Sequence, residues 1–186
     1  AINILALSVA LSVPSLSKAS TPQSLQRFDF AELHMGLRVQ LRLYAENQAS
    51  AKRAASAAFD TFERLEGVFS DYSAESELST FVAKAGQGPQ PISRDLMAVL
   101  LRSQDLARKS DGAFDVTASP IIRLWRTARR EQKLPPGDAL VNALDRTGWR
   151  GLRLNPDRGT AELVRKGMML DLGGIAKGYA CDAAIQ

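Results

Sequence analysis

Between residues 35 and 67 the apolar repeat changes period once, and each half of that segment admits one kind of backbone. Met35, Leu37, Val39, Leu41 and Leu43 alternate with Gly36, Arg38, Gln40, Arg42 and Tyr44. A period of two predicts a strand with one buried face. From residue 50 the spacing becomes helical. Ala51, Ala55, Ala58, Phe59, Phe62, Leu65 and Glu66 fall on one stripe with a polar back. Ser50 is the expected N-cap and Gly67 the expected stop.

Further helices are expected from Ser76, from Ser93 with Leu96, Val99, Leu100, Ser103 and Leu106 inward, from Pro120, and from Asp138 to Asp145. The last third reads as strands. Segments 149–154 and 160–165 flank Asn155-Pro156-Asp157-Arg158-Gly159, a hairpin connection, and 168–172 is a third short strand. Mixed helices and antiparallel strands in this order predict an α+β fold. At 186 residues and 45% hydrophobic, the chain can bury a core and escapes disorder.

The beginning reads differently. Residues 1–13 are an uncharged apolar run, too short to span a bilayer but matching the apolar region of a signal peptide. Ser17-Lys18-Ala19 offers a cleavage site. Residues 1–19 are therefore expected to be a signal peptide, 20–30 a polar linker, and 31–186 the functional domain. Export to the periplasm follows, with a place near the inner membrane.

Residue counts exclude several chemistries. The single cysteine, Cys181, makes no internal disulfide and no zinc site alone. The single histidine, His34, sits beside a strand rather than a nucleophile, and a satisfied or surface histidine is expected. Arg123, Arg126, Arg129, Arg130 and Lys133 form a basic cluster that could meet phosphates or an anionic membrane surface, although a solvated helix face is the favoured reading. Aromatics are few and not interleaved with it, so no nucleic-acid partner is expected.

The strongest local motif runs from Met168 to Tyr179: a buried strand, the Gly173-Gly174 turn, then a helix start bearing Lys177. Glycines permit close backbone approach to a phosphate, and a helix start adds free N–H groups and a positive dipole end. It matches neither a Walker loop nor a dinucleotide fingerprint. Taken alone, such a turn is more often structural. The same holds for Asp111-Gly112-Ala113-Phe114-Asp115, for Phe69-Ser70-Asp71-Tyr72 with Ser76-Glu77-Leu78-Ser79, and for His34-Met35-Gly36.

Together, in this order, these segments resemble the ApbE family of FAD:protein FMN transferases. The resemblance covers nearly everything after residue 30 and rests on HMG (34–36), FSDY with SELS (69–72, 76–79), DGAFD with SP and LW (111–115, 119–120, 124–125) and LDLGGIAKGYACD (170–182). It implies Mg²⁺-dependent transfer of FMN from FAD to a threonine of an acceptor protein, such as a redox-complex subunit, with release of AMP. It implies FAD contacts at Met35, Tyr72, Ala113, Phe114, Asp115, Asp171 and Lys177, with Asp171 and Lys177 in the catalytic part. It implies a backbone carbonyl from Gly174 to the Mg²⁺, a hard oxygen for a hard cation. The family continues beyond this point with an Asp and Thr cluster completing the metal site, so the chain is expected to be C-terminally incomplete.

Overall fold

The structure, a computed structural model, describes residues 24–186, so the expected signal peptide lies outside the described residues. β1 (Gln26–His34) and β2 (Leu37–Ala45) pair antiparallel with His34 opposite Leu37. Met35 and Gly36, at φ 51° and 71°, make the two-residue turn. Positive φ at both central residues is what a tight hairpin turn matching strand twist requires. The expected strand at 35–44 thus begins two residues later. Residues 26–30 of the expected linker are strand instead. Their polar side chains face solvent, while Phe28 and Phe30 turn inward opposite Leu43 and Leu41.

α1 (Gln48–Phe69) underlies this hairpin with the expected stripe, Ala51, Ala55, Ala58, Phe59, Phe62 and Leu65 all buried. Its cap is Asn47, whose side chain accepts from Ser50 N–H at 2.9 Å, and Gly67 lies inside the helix. α2 (Glu77–Ala83) and α3 (Arg94–Lys109) start at Ser76 and Ser93 as expected, each hydroxyl accepting from the N–H three residues on. On α3 the inward position falls to Ala107, with Leu106 only half-buried. A 3-10 turn at Val116–Ala118 leads into α4 (Ser119–Glu131), with Pro120 in its first turn. α5 (Gly137–Asp145) follows Pro136 and has no side-chain cap from Asp138.

Residues 149–151 form a 3-10 turn, not the start of a strand. β3 (Gln90–Pro91), β4 (Leu152–Asn155) and β5 (Thr160–Leu163) make a small antiparallel sheet in the order β3-β5-β4. The expected strand at 168–172 has no ladder partner among the described residues, yet Met168, Leu170 and Leu172 are buried at 0%, 1% and 2% exposure. α6 (Ala176–Ala184) closes the fold by packing on α1 through Ala176 and Ala180.

Three helices meet at one polar knot. Tyr179 of α6 donates to Asp95 of α3 at 2.6 Å, and Arg64 of α1 donates to the other carboxylate oxygen at 2.5 Å. Burial opposes charge on Asp95, but the Tyr179 hydroxyl and the Arg64 guanidinium outweigh it and hold the carboxyl below its ordinary range. Burial first, and the Asp95 carboxylate second, push the Tyr179 phenol up to about 12. The folded state thus holds the Tyr179 proton more tightly than the unfolded chain, whose tyrosine titrates near ~10. That contribution to stability is full below the unfolded value and is lost as pH rises through about 12. The Asp95 contribution has the opposite sign: it is present above ~3.9 and lost as pH falls through the lower folded value. Tyr179→Phe is expected to cost about 1–2 kcal/mol at neutral pH and to flatten the alkaline loss. Urea melts at a series of pH values measure both.

Candidate functional site

The site grows from the segment after β5. Asp171 is held between buried Leu170 and Leu172, and its N–H donates to the Val116 carbonyl at 2.8 Å. Its Oδ1 accepts from Gly173 N–H at 2.8 Å, an Asx turn that bends the chain. The Leu172 carbonyl accepts from both Ile175 and Ala176, at 3.0 and 2.8 Å, starting α6. The bend itself stays exposed at Gly173 and Gly174. A Cβ on Gly174 would lie 3.3 Å from the Phe114 ring, so the glycine lets this ring close on the turn. Lys177 follows in the first turn of α6.

Two cavities adjoin at this bend. One, of about 390 Å³, is lined by Met35, Glu66, Tyr72 and the residues of the bend. The other, of about 660 Å³, is lined by Ala113, Phe114, Asp115 and Gly174. Arg126, Asp171, Gly173 and Lys177 line both, so the junction holds two cations, one carboxylate and a glycine turn.

The outlying walls are fixed by local hydrogen bonds. Met35, left-handed, is pinned by its N–H donating to Glu66 Oε2 at 3.0 Å. The loop before Tyr72 folds over Ser70, whose hydroxyl accepts from Tyr72 and Ser73 N–H, both at 3.2 Å. The Tyr72 ring is left 87% exposed at the cavity rim, where it can stack on a planar ligand. Asp111 and Gly112, both at positive φ, turn the chain after α3 so that Ala113 and Phe114 face the second cavity.

A family model described as "ApbE family" matches residues 35–186. The chain belongs to the ApbE family. It is 33% identical over 167 residues to the FAD:protein FMN transferase of Treponema pallidum, covering 87% of this chain and 46% of that protein. It is 30% identical over 146 residues to the protein of the same name from Chlamydia pneumoniae, covering 76% and 46%. Among solved structures, the flavin transferase ApbE from Vibrio cholerae superposes with a TM-score of 0.80 at 23% identity, over 87% of this chain and 53% of that one. The ApbE protein from Thermotoga maritima gives 0.74. These likenesses establish the mixed α+β fold, and the chain spans about half the length of the curated relatives it matches.

Against the ApbE-based expectations, the structure gathers Met35, Tyr72, Ala113, Phe114, Asp115, Asp171, Gly174 and Lys177 around the two adjoining cavities. Asp115 reaches its cavity with its carboxylate already engaged. Oδ1 accepts from Thr117 N–H and its hydroxyl, both at 2.7 Å, and Oδ2 from Trp149 N–H at 3.0 Å. His34 takes no part in either cavity. It stacks on Phe59 and Phe62, with ring centroids 5.6 and 5.9 Å away, and meets Glu32 at 3.2 Å.

The sequence does not single out Glu66 or Arg126 for the site: Glu66 falls on the apolar stripe, and Arg126 lies in a basic cluster whose favoured reading is a solvated face. Arg126 instead reaches Asp171 Oδ2 at 3.3 Å, and its neighbour one turn back, Arg123, reaches Asp71 at 3.7 Å. Acidic residues at the ends of two separate loops, facing arginines three apart on one helix, were the available signal.

Met35 is left-handed at φ 51°, a conformation uncommon for a residue other than glycine, and its side chain packs partly against the core. Met35→Asn places at this turn a residue that tolerates positive φ, before a glycine. It is expected to raise the unfolding free energy by about 0.5–1 kcal/mol. Thermal melts of the variant beside the wild type check it.

Proposed function

We propose that this chain is part of an enzyme that transfers FMN from FAD to a threonine of an acceptor protein, releasing AMP. One observation carries the reading: the two cavities meet at Asp171, Lys177 and the Gly173-Gly174 turn. FAD has two planar ends joined by a diphosphate, and its reacting bond lies in that diphosphate. A cationic junction between two chambers suits such a ligand in shape and charge.

In the proposed reaction the threonine oxygen attacks the FMN phosphorus. A phosphoester forms, the bridging P–O bond breaks, AMP leaves, and the hydroxyl proton is released. Lys177 neutralises charge that develops on the phosphate oxygens. Free N–H groups at the start of α6 point their dipole the same way. Tyr72, Met35 and the 113–115 segment hold the dinucleotide in place, and positioning supplies a large part of the rate.

Mg²⁺ fits this turn as far as the chain goes. Among the described residues, Gly173 N–H donates to Asp171, those of Ile175 and Ala176 to Leu172 and that of Tyr179 to Ile175, so none takes the Gly174 carbonyl, which is available as an oxygen donor. No cluster of three acidic, histidine or cysteine side chains stands among the described residues. The remaining ligands would be phosphates, water and the Asp and Thr cluster implied by the family resemblance. When bound, the ion supplies charge neutralisation at the diphosphate.

The acceptor is a protein carrying an accessible threonine, of the redox-complex kind, and the site of action is the periplasm beside the inner membrane. No helix among the described residues is long and apolar enough to cross a membrane. The test is to incubate the complete protein with FAD, Mg²⁺ and a flavin-acceptor domain, then follow AMP and fluorescent acceptor on a denaturing gel. Both should rise together and vanish with EDTA. AMP without a labelled acceptor would replace transfer by hydrolysis, and neither product would sink the enzymatic reading.

A further inference from the structure

Arg126 stands at the junction of both cavities, yet its one polar partner among the described residues holds it weakly. A single Nη2 lies 3.3 Å from Asp171 Oδ2, and the guanidinium is 55% exposed against 16% for the carboxylate. A single long contact from a half-exposed arginine contributes little and is easily exchanged. A guanidinium has five N–H donors in a planar fork that matches two phosphate oxygens, so most of its capacity is unspent here. Asp171 does not depend on it for position, since Gly173 N–H holds Oδ1 at 2.8 Å and its own N–H is held by Val116.

We propose that Arg126 is a phosphate-binding residue of this site, moving from Asp171 to the diphosphate of the bound dinucleotide. The inference rests on the flavin reading above and adds to it a ligand from α4. Before binding, Arg126 and Asp171 balance each other and Lys177 leaves the junction with one net positive charge. A diphosphate entering there meets two cations from two helices, α4 and α6. Arg126 thereby sets affinity for the phosphate-bearing part of the ligand and is indifferent to the isoalloxazine ring.

The experiment is a flavin titration of the complete protein, comparing FAD with riboflavin, which has the ring and no phosphate. Arg126→Ala is expected to weaken FAD binding about tenfold, to reduce its salt dependence, and to leave riboflavin binding unchanged. Arg126→Lys should recover part of the loss, since it restores the charge but not the fork. The same loss should persist when Arg126→Ala is made in an Asp171→Asn background. If FAD and riboflavin weaken together, or if the double variant loses nothing further, Arg126 merely props Asp171 and the inference fails. Unchanged FAD binding in Arg126→Ala would also overturn it while leaving the flavin reading intact. No FAD binding by the wild-type protein would remove both.

Discussion

Lys177→Ala should lower flavin transfer by about 100- to 1,000-fold, the range that follows loss of one preorganised charge at a transition state. Lys177 lies in the first turn of α6 and lines both cavities, while the helix is anchored on its other side by Ala176 and Ala180, at 3% and 0% exposure. Alanine is the best helix former, so the substitution leaves α6 intact. The melting temperature is therefore expected to stay near that of the wild type. Lys177→Arg keeps the charge but moves it, and should fall between the two. Single-turnover AMP release at saturating FAD, with a melt beside it, measures both properties. A loss of activity matched by an equal loss of stability would mean that Lys177 serves packing.

Leu172→Ala should show the reverse pattern. The side chain is 2% exposed in the main core, directly beneath the bend. Removing it leaves a cavity, and such truncations cost about 2–5 kcal/mol. The Leu172 carbonyl also receives the two hydrogen bonds that start α6. A core that relaxes there lets the bend shift, so FAD binding should weaken in parallel with stability. Denaturant melts and flavin titrations across a temperature range distinguish the two variants. Leu172→Ala should regain binding on cooling toward its stability maximum, whereas Lys177→Ala should not regain turnover.

What the sequence disclosed follows from the range of the forces involved. The caps Ser76 and Ser93 act over three residues, and each was legible because the hydroxyl and its N–H partner share one turn. The 155–159 hairpin was legible for the same reason. β1 was not, because Phe28 and Phe30 read as isolated aromatics in a polar stretch until Leu43 and Leu41 stand opposite them. The apolar character of 168–172 predicts a strand, but burial alone makes no ladder. At the site, single motifs carried no decision, and the resemblance of their order did. Arg126 and Glu66 escaped because their roles arise only when α4 meets the bend and α1 meets the hairpin turn. No local pattern encodes either meeting.

One property of the site bears on how the protein is made. Its walls come from the β1–β2 turn, the loops after α1 and α3, one face of α4 and the first turn of α6. Translation delivers these in order, at roughly 5–20 residues per second. A nascent chain therefore displays Met35 and Tyr72 for several seconds before Asp171 and Lys177 leave the exit tunnel. During that interval Arg126 is already synthesised but the bend, Asp171 and Lys177 are not, so the junction of the two cavities is assembled only when α6 docks on α1.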